Sequence, residues 1–209
     1  MKRIVYVICA YLLSIGLSVY GQKVIEKEFD ATGIEGLSVT SDQNFKIYVR
    51  TSTTKEIILK SSIDGETFET AFINTELQDN MLVIKSGRSP YFEDIDDKLA
   101  AHKVLSVTLS ITIPENLEFW VDSSLAAVKA TGDFKYINLN LGRGDCNFYD
   151  FRGSGKINTR SGNINIETTS SSVEATSRHG IVNLANDPNG SFHLELKSLT
   201  GSITVIQNQ

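Results

Sequence analysis

Glycine returns at a fixed interval in the second half of this chain, at Gly144, Gly162 and Gly180, and once more at Gly201. The spacing is 18 residues, except for the last interval of 21. Around each glycine the apolar residues keep one frame. Seven residues before lie Ile137, Gly155, Val173 and Leu194, and five before lie Leu139, Ile157, Ala175 and Leu196. Two after lie Cys146, Ile164, Val182 and Ile203, and four after lie Phe148, Ile166, Leu184 and Val205. Stepping 18 residues back from Gly144 reaches Ala126, with Phe119, Val121, Val128 and Ala130 in the same places. Polar residues such as Asn138, Lys156, Glu174 and Glu195 fall between them. Alternation over two short segments, broken at a glycine, describes two strands joined at a corner. A fixed period of this length predicts an all-β fold, a parallel β-helix or solenoid of five coils over residues 116–209, each stacked on the one before. The extra three residues of the last period fall in the turn-rich Asn186-Asp187-Pro188-Asn189-Gly190, a corner where insertion is tolerated.

Residues 22–115 read differently, as an antiparallel β region continuous with the solenoid. Short alternating runs recur at Leu37/Val39, Phe45/Ile47/Val49, Ile57/Leu59 and Met81–Ile84, the last preceded by a hairpin-type Asp79-Asn80. Leu105 to Ile113 alternate strictly and stop at Pro114. Between two of these strands, residues 87–103 are polar and irregular, with room for a short helix from Asp94 to His102. Their acidic cluster offers oxygen ligands to calcium, but without EF-hand spacing a solvated loop is the simpler reading.

The N-terminus carries an address. Lys2 and Arg3 precede an apolar run, Ile4 to Leu17, and small residues follow at Ser18 and Gly21. That is the pattern of a cleaved signal peptide over residues 1–21, too short and too soon interrupted for a membrane anchor. Cys9 leaves with it, so Cys146 is the one cysteine of the mature chain and reads as a small buried apolar residue. Losing Lys2 and Arg3 takes Lys+Arg from 20 to 18 against 25 Asp+Glu, which moves the net charge from −5 to −7. An acidic exported chain is a poor partner for nucleic acid or an anionic membrane, and no stable membrane insertion is expected.

The order of these segments resembles the secreted bacterial family named "putative auto-transporter adhesin, head GIN domain". The resemblance rests on Phe29 with Ile34–Val39, on Asn44–Val49, on Asp79–Ile84, on Val107–Pro114 and on the Ser161–Ile166 repeat. It spans nearly all of the mature chain. It implies an exported β-solenoid and supplies no catalytic residues.

Candidate binding residues come from the outward positions. Asn147, Asn165 and Asn183 repeat at one place in three coils, where amides bond along a stack or meet sugar hydroxyls. Arg160 and Arg178 share another position, with Arg143 and His179 beside them. Two cations about 5 Å apart repel by roughly 1 to 3 kcal/mol, so they splay into water or share an acidic sugar. Trp120 lies outward in the first coil, either packed beneath the N-terminal half as a cap, the simpler reading, or stacked on a sugar. His102, His179 and His193 make no metal-ligand spacing, and no cofactor is expected. No nucleophile-elbow or phosphate-loop motif occurs. The function expected is therefore non-enzymatic binding of carbohydrate or a surface partner. A polysaccharide-active lyase or hydrolase and a structural spacer are the alternatives. The bare edge of the last coil suggests a homodimer through it.

Overall fold

In a computed structural model the described residues are 23–41, 44–65, 71–88 and 106–208. The signal segment, residues 89–103 of the acidic loop with its calcium question and the Asp94–His102 helix lie outside them, while Gly87 and Arg88, expected in that loop, end a strand. The regular elements described are all strands: β1 (Lys23–Asp30), β2 (Gly36–Thr40), β3 (Asn44–Ser52), β4 (Glu56–Asp64), β5 (Ala71–Gln78), β6 (Met81–Arg88), β7 (Ser106–Pro114), β8 (Glu118–Ser123), β9 (Ala127–Leu141), β10 (Cys146–Thr159), β11 (Ile164–Thr168), β12 (Ser171–Ser177), β13 (Val182–Leu184), β14 (Phe192–Ser198) and β15 (Ile203–Gln207). The protein is thus all-β.

The strands form one mixed sheet that is not closed. It follows two ladders. The first runs β5–β6–β2–β8, then the second halves of β9 and β10, then β14 and β12. The second runs β1–β4–β7–β3, then the first halves of β9 and β10, then β11, β15 and β13. β9 and β10 serve both ladders because each turns midway, at Gly132 with φ 107° and at Asp150 with φ 46°. Each turn of chain therefore adds one rung, a strand in each ladder. The inward residues meet between the ladders: Phe119, Ile137, Leu194, Ile164 and Ile203 are all fully buried. At the bends, Phe134 and Phe151 fill the corner, with ring centres 5.6 Å apart, and Phe148 lies 5.2 Å from Phe151.

The 18-residue frame sets the register. Cys146 pairs with Val128 on one side and Ile164 on the other, all in parallel. At the glycine corner, hydroxyls three residues upstream tie the turn. Ser198 Oγ accepts the Gly201 N–H at 2.8 Å, Ser177 Oγ accepts the Gly180 N–H at 2.9 Å, and Thr159 Oγ1 donates to the Gly162 carbonyl at 2.8 Å.

Two expectations are corrected. The rungs are not stacked in sequence order. Ile164 pairs with Ile203, and Ile203 with Val182. The last turn, β14–β15, is inserted between β10–β11 and β12–β13, so Ile164 and Val182 are not neighbours. The physical reason lies in bulk. The inserted rung brings Leu194, Leu196, Ile203 and Val205, 15 side-chain carbons, against 11 for Val173, Ala175, Val182 and Leu184. The bulkier set is buried on both sides, a gain of up to about 3 kcal/mol at about 0.8 kcal/mol per methylene. The terminal strand β15 is accordingly not a bare edge: it lies between β11 and β13. The open end is β12–β13, where Val182 is 38% and Ile181 68% exposed.

Residues 22–115 are likewise not purely antiparallel. β2 and β3 pair in parallel with β8 and β9, Leu37 beside Phe119 and Ile47 beside Val128. β6 and β7 pair in parallel with β2 and β3 on the far side. Among the described residues antiparallel pairing is confined to β5 on β6, β1 on β4 and β4 on β7, where the stack ends.

Candidate binding faces

Side chains that point away from the packed interior form rows across each ladder, because parallel in-register pairing puts equivalent residues about 4.8 Å apart. On the first ladder one row runs Ser38, Trp120, Asn138, Lys156, Glu195 and Glu174. The next runs Thr40, Asp122, Asn140, Asn158, Lys197 and Thr176. Trp120 is 41% exposed, and its indole N–H donates to Glu118 Oε2 at 3.3 Å. It is not a cap beneath the N-terminal half. β2 extends the same face past it, and the adjacent Phe119 takes the inward place.

Asn158 Nδ2 donates to Asn140 Oδ1 at 3.1 Å. The pair lies beside an open groove of about 470 Å³ lined by Asp122, Ser124, Asn140, Asn158, Arg160 and Leu199. Amide, carboxylate and guanidinium groups thus converge two residues along the strand from an exposed indole. Farther along the face, Lys156 Nζ lies 2.7 Å from Glu195, which Lys197 also contacts. Hydrogen bonds from Lys156 and then Lys197 hold the Glu195 carboxyl down to about 2. What these pairs add to stability is present above the ordinary carboxylate range and fades as pH falls towards 2. Both lysines are more than half exposed, so the effect is small.

The rung order redistributes the residues anticipated as a site. Leu199 N–H bonds to the Thr159 carbonyl, and Arg178 N–H to the Ser198 carbonyl, so the Leu199 turn lies between Arg160 and Arg178. The two guanidiniums stem from rungs about 9.6 Å apart, twice the strand spacing, and need not share an anion. His179 lies on the outermost rung with Arg178, bonding Leu199, while Arg143 belongs to the rung before Arg160. Asn165 Nδ2 does donate to Asn147 Oδ1, at 3.0 Å, but Thr204 stands between Asn165 and Asn183. Asn140 and Asn158 do not stand out in the sequence. Their signal is recurrence at four residues before each corner, shared by Lys197 and Thr176, which hides it among dissimilar polar side chains.

Cys146 is fully buried, and burial, with Asp145 nearby, pushes its thiol far above the ordinary range. A native-state alkylation assay is expected to leave Cys146 unmodified while the urea-unfolded chain reacts fully. Fast native labelling would show the interior to be open. Among the described residues no three His, Cys, Asp or Glu side chains gather as metal ligands.

No family model matches the chain, and no curated protein matches it. Among solved structures, it is similar to a putative cell adhesion protein from Clostridium sporogenes, at 16% identity, with 90% of this chain and 100% of that one covered and a TM-score of 0.60. It is also similar to a putative adhesin from Bacteroides fragilis, at 13% identity over 90% of this chain and 99% of that one, with a TM-score of 0.41. The first likeness is one of fold; the second superposes too loosely to say more.

Proposed function

We propose that this chain is an exported, non-enzymatic, adhesin-like protein that binds carbohydrate on the face running from Trp120 to Arg160. We read its stacked rungs as a solenoid-like winding of the kind found in the GIN-domain family it resembles. The fold shared with the Clostridium sporogenes protein, itself named for cell adhesion, supports a binding role. One observation carries the choice of face: the bonded Asn140–Asn158 amide pair beside the groove, two residues along from the exposed Trp120. An aromatic ring offers a sugar its apolar face, and fixed amide and carboxylate groups offer its hydroxyls directional partners. The rigid sheet holds them in place at little entropic cost.

A glycan array is expected to return at least one neutral oligosaccharide. Trp120→Ala is expected to weaken that binding about tenfold or more while leaving the thermal midpoint unchanged, as large aromatic contacts dominate such sites. An array with no hits would favour a spacer. Unchanged binding by Trp120→Ala would exclude this face.

A further inference from the structure

The second ladder carries an outward groove of a different character, and we infer that it is a separate site for an anionic saccharide. On β3 the outward residues are Lys46, Tyr48 and Arg50. Tyr48 pairs with Ser110 on one side and Lys129 on the other, and Ser110 pairs with Lys60. The row Lys60–Ser110–Tyr48–Lys129 therefore sets an aromatic ring between two ammonium groups. Three strand steps, about 14 Å, separate the backbones of the two lysines. The groove they border holds about 470 Å³ and is lined also by Arg50, Ile58 and Thr112.

The side chains are held rather than free to sweep. Arg50 Nε donates to Thr112 Oγ1 at 3.0 Å across the β3–β7 pair. Lys129 Nζ lies 4.6 Å from the centre of the Tyr149 ring. Among the described residues, Lys60 alone of the three has an ion-pair partner, Glu26 at 3.7 Å. The described lining of the groove thus sets Arg50, Lys60 and Lys129 against one carboxylate, on a chain whose formal net charge is −5. A local field opposite in sign to the whole molecule selects an anion. The exposed Tyr48 ring, 39% accessible, selects a ligand with an apolar face beside its charge. A uronic-acid or sulfated oligosaccharide offers both, with the length to reach from one lysine to the other. The site lies on the opposite ladder from Trp120, so it does not depend on the carbohydrate face proposed above.

The test is calorimetry with an oligogalacturonate, a sulfated heparin oligosaccharide and a neutral dextran oligosaccharide. The wild type is expected to bind at least one of the charged sugars and to lose affinity steeply as salt rises from about 0.05 to 0.5 M. Arg50→Gln/Lys129→Gln, and separately Tyr48→Ala, are expected to weaken that binding about tenfold or more with an unchanged thermal midpoint, as loss of charge-assisted contacts does. Trp120→Ala is expected to bind the charged sugar as the wild type does, which separates this site from the first. The inference is overturned if neither charged sugar binds, if the variants bind as the wild type does, or if the dextran competes equally. Binding to vesicles of anionic phospholipid with no binding to either charged sugar would overturn it too.

Discussion

Gly162→Ala is expected to lower stability by more than about 3 kcal/mol, read from the urea midpoint at an unchanged slope. No unusual dihedral is involved. At this corner the backbone turns so that a Cβ would project along the stack rather than inward or outward. On Gly162 it would stand 1.9 Å from the Gly144 carbonyl oxygen, and on Gly201 2.0 Å from that of Gly162. Gly144 meets Ala126 in the same way at 1.7 Å, and Gly180 meets Gly201 at 2.2 Å. Each clash is with backbone that is itself bonded to the rungs on either side, so relief requires several rungs to part. Gly33 is the control. It has φ +79° and nothing within 4 Å of a Cβ, so Gly33→Asn, which tolerates that conformation, is expected to stay within about 1 kcal/mol of wild type. A Gly162→Ala variant as stable as that control would mean that the rungs are spaced more widely at the corner than the glycine column requires.

The inward columns were legible because a strand exposes alternate residues to one side, and Ile137, Leu139, Ile157, Ile164 and Ile166 obey that rule without exception. The order of the rungs was not, for a reason built into repetition. Any two turns sharing the frame can pair in register. Asn165 meets Thr204 as readily as Asn183, and Lys156 finds a carboxylate on Glu195 as it would on Glu174. Local pattern is therefore degenerate, and the choice falls to bulk and to the connection. The 21-residue interval is the visible trace of the rearrangement: beyond Leu184 the chain steps back one rung, through Asn186–Gly190, instead of moving on. The first half hid its parallel strands differently. Leu37/Val39 and Ile47/Val49 reproduce the frame with one residue too many and no glycine at the corner, and the register shifts between Asn44 and Lys46. As for sites, an outward residue shows in sequence only that it is polar or aromatic. That Trp120 meets Asn138, and Tyr48 meets Lys129, depends on pairings some 18 to 81 positions apart.

The rung order makes the sharpest prediction about stability. Ile203 is fully buried between Ile164 and Val182, whereas Val182 forms the open end and is 38% exposed. Ile203→Ala is expected to cost about 3 to 4 kcal/mol, and Val182→Ala less than about 1 kcal/mol, because the second leaves no enclosed cavity. Stacking in sequence order would reverse the ranking, with Val182 enclosed and Ile203 terminal. Covalent trapping separates the two orders independently of energetics. Asn165 and Thr204 are paired across adjacent strands, so a cysteine at each has backbones about 4.8 Å apart, within disulfide reach. Cysteines at Asn165 and Asn183 stand two rungs apart, about 9.6 Å, beyond the limit of about 7 Å. Cys146 is buried and does not compete. Under mild oxidation the first double variant is expected to cross-link within one chain and the second to remain reduced. Cross-linking of the second pair alone would restore the sequential stack, return β15 to the bare edge and remove Leu199 from between Arg160 and Arg178.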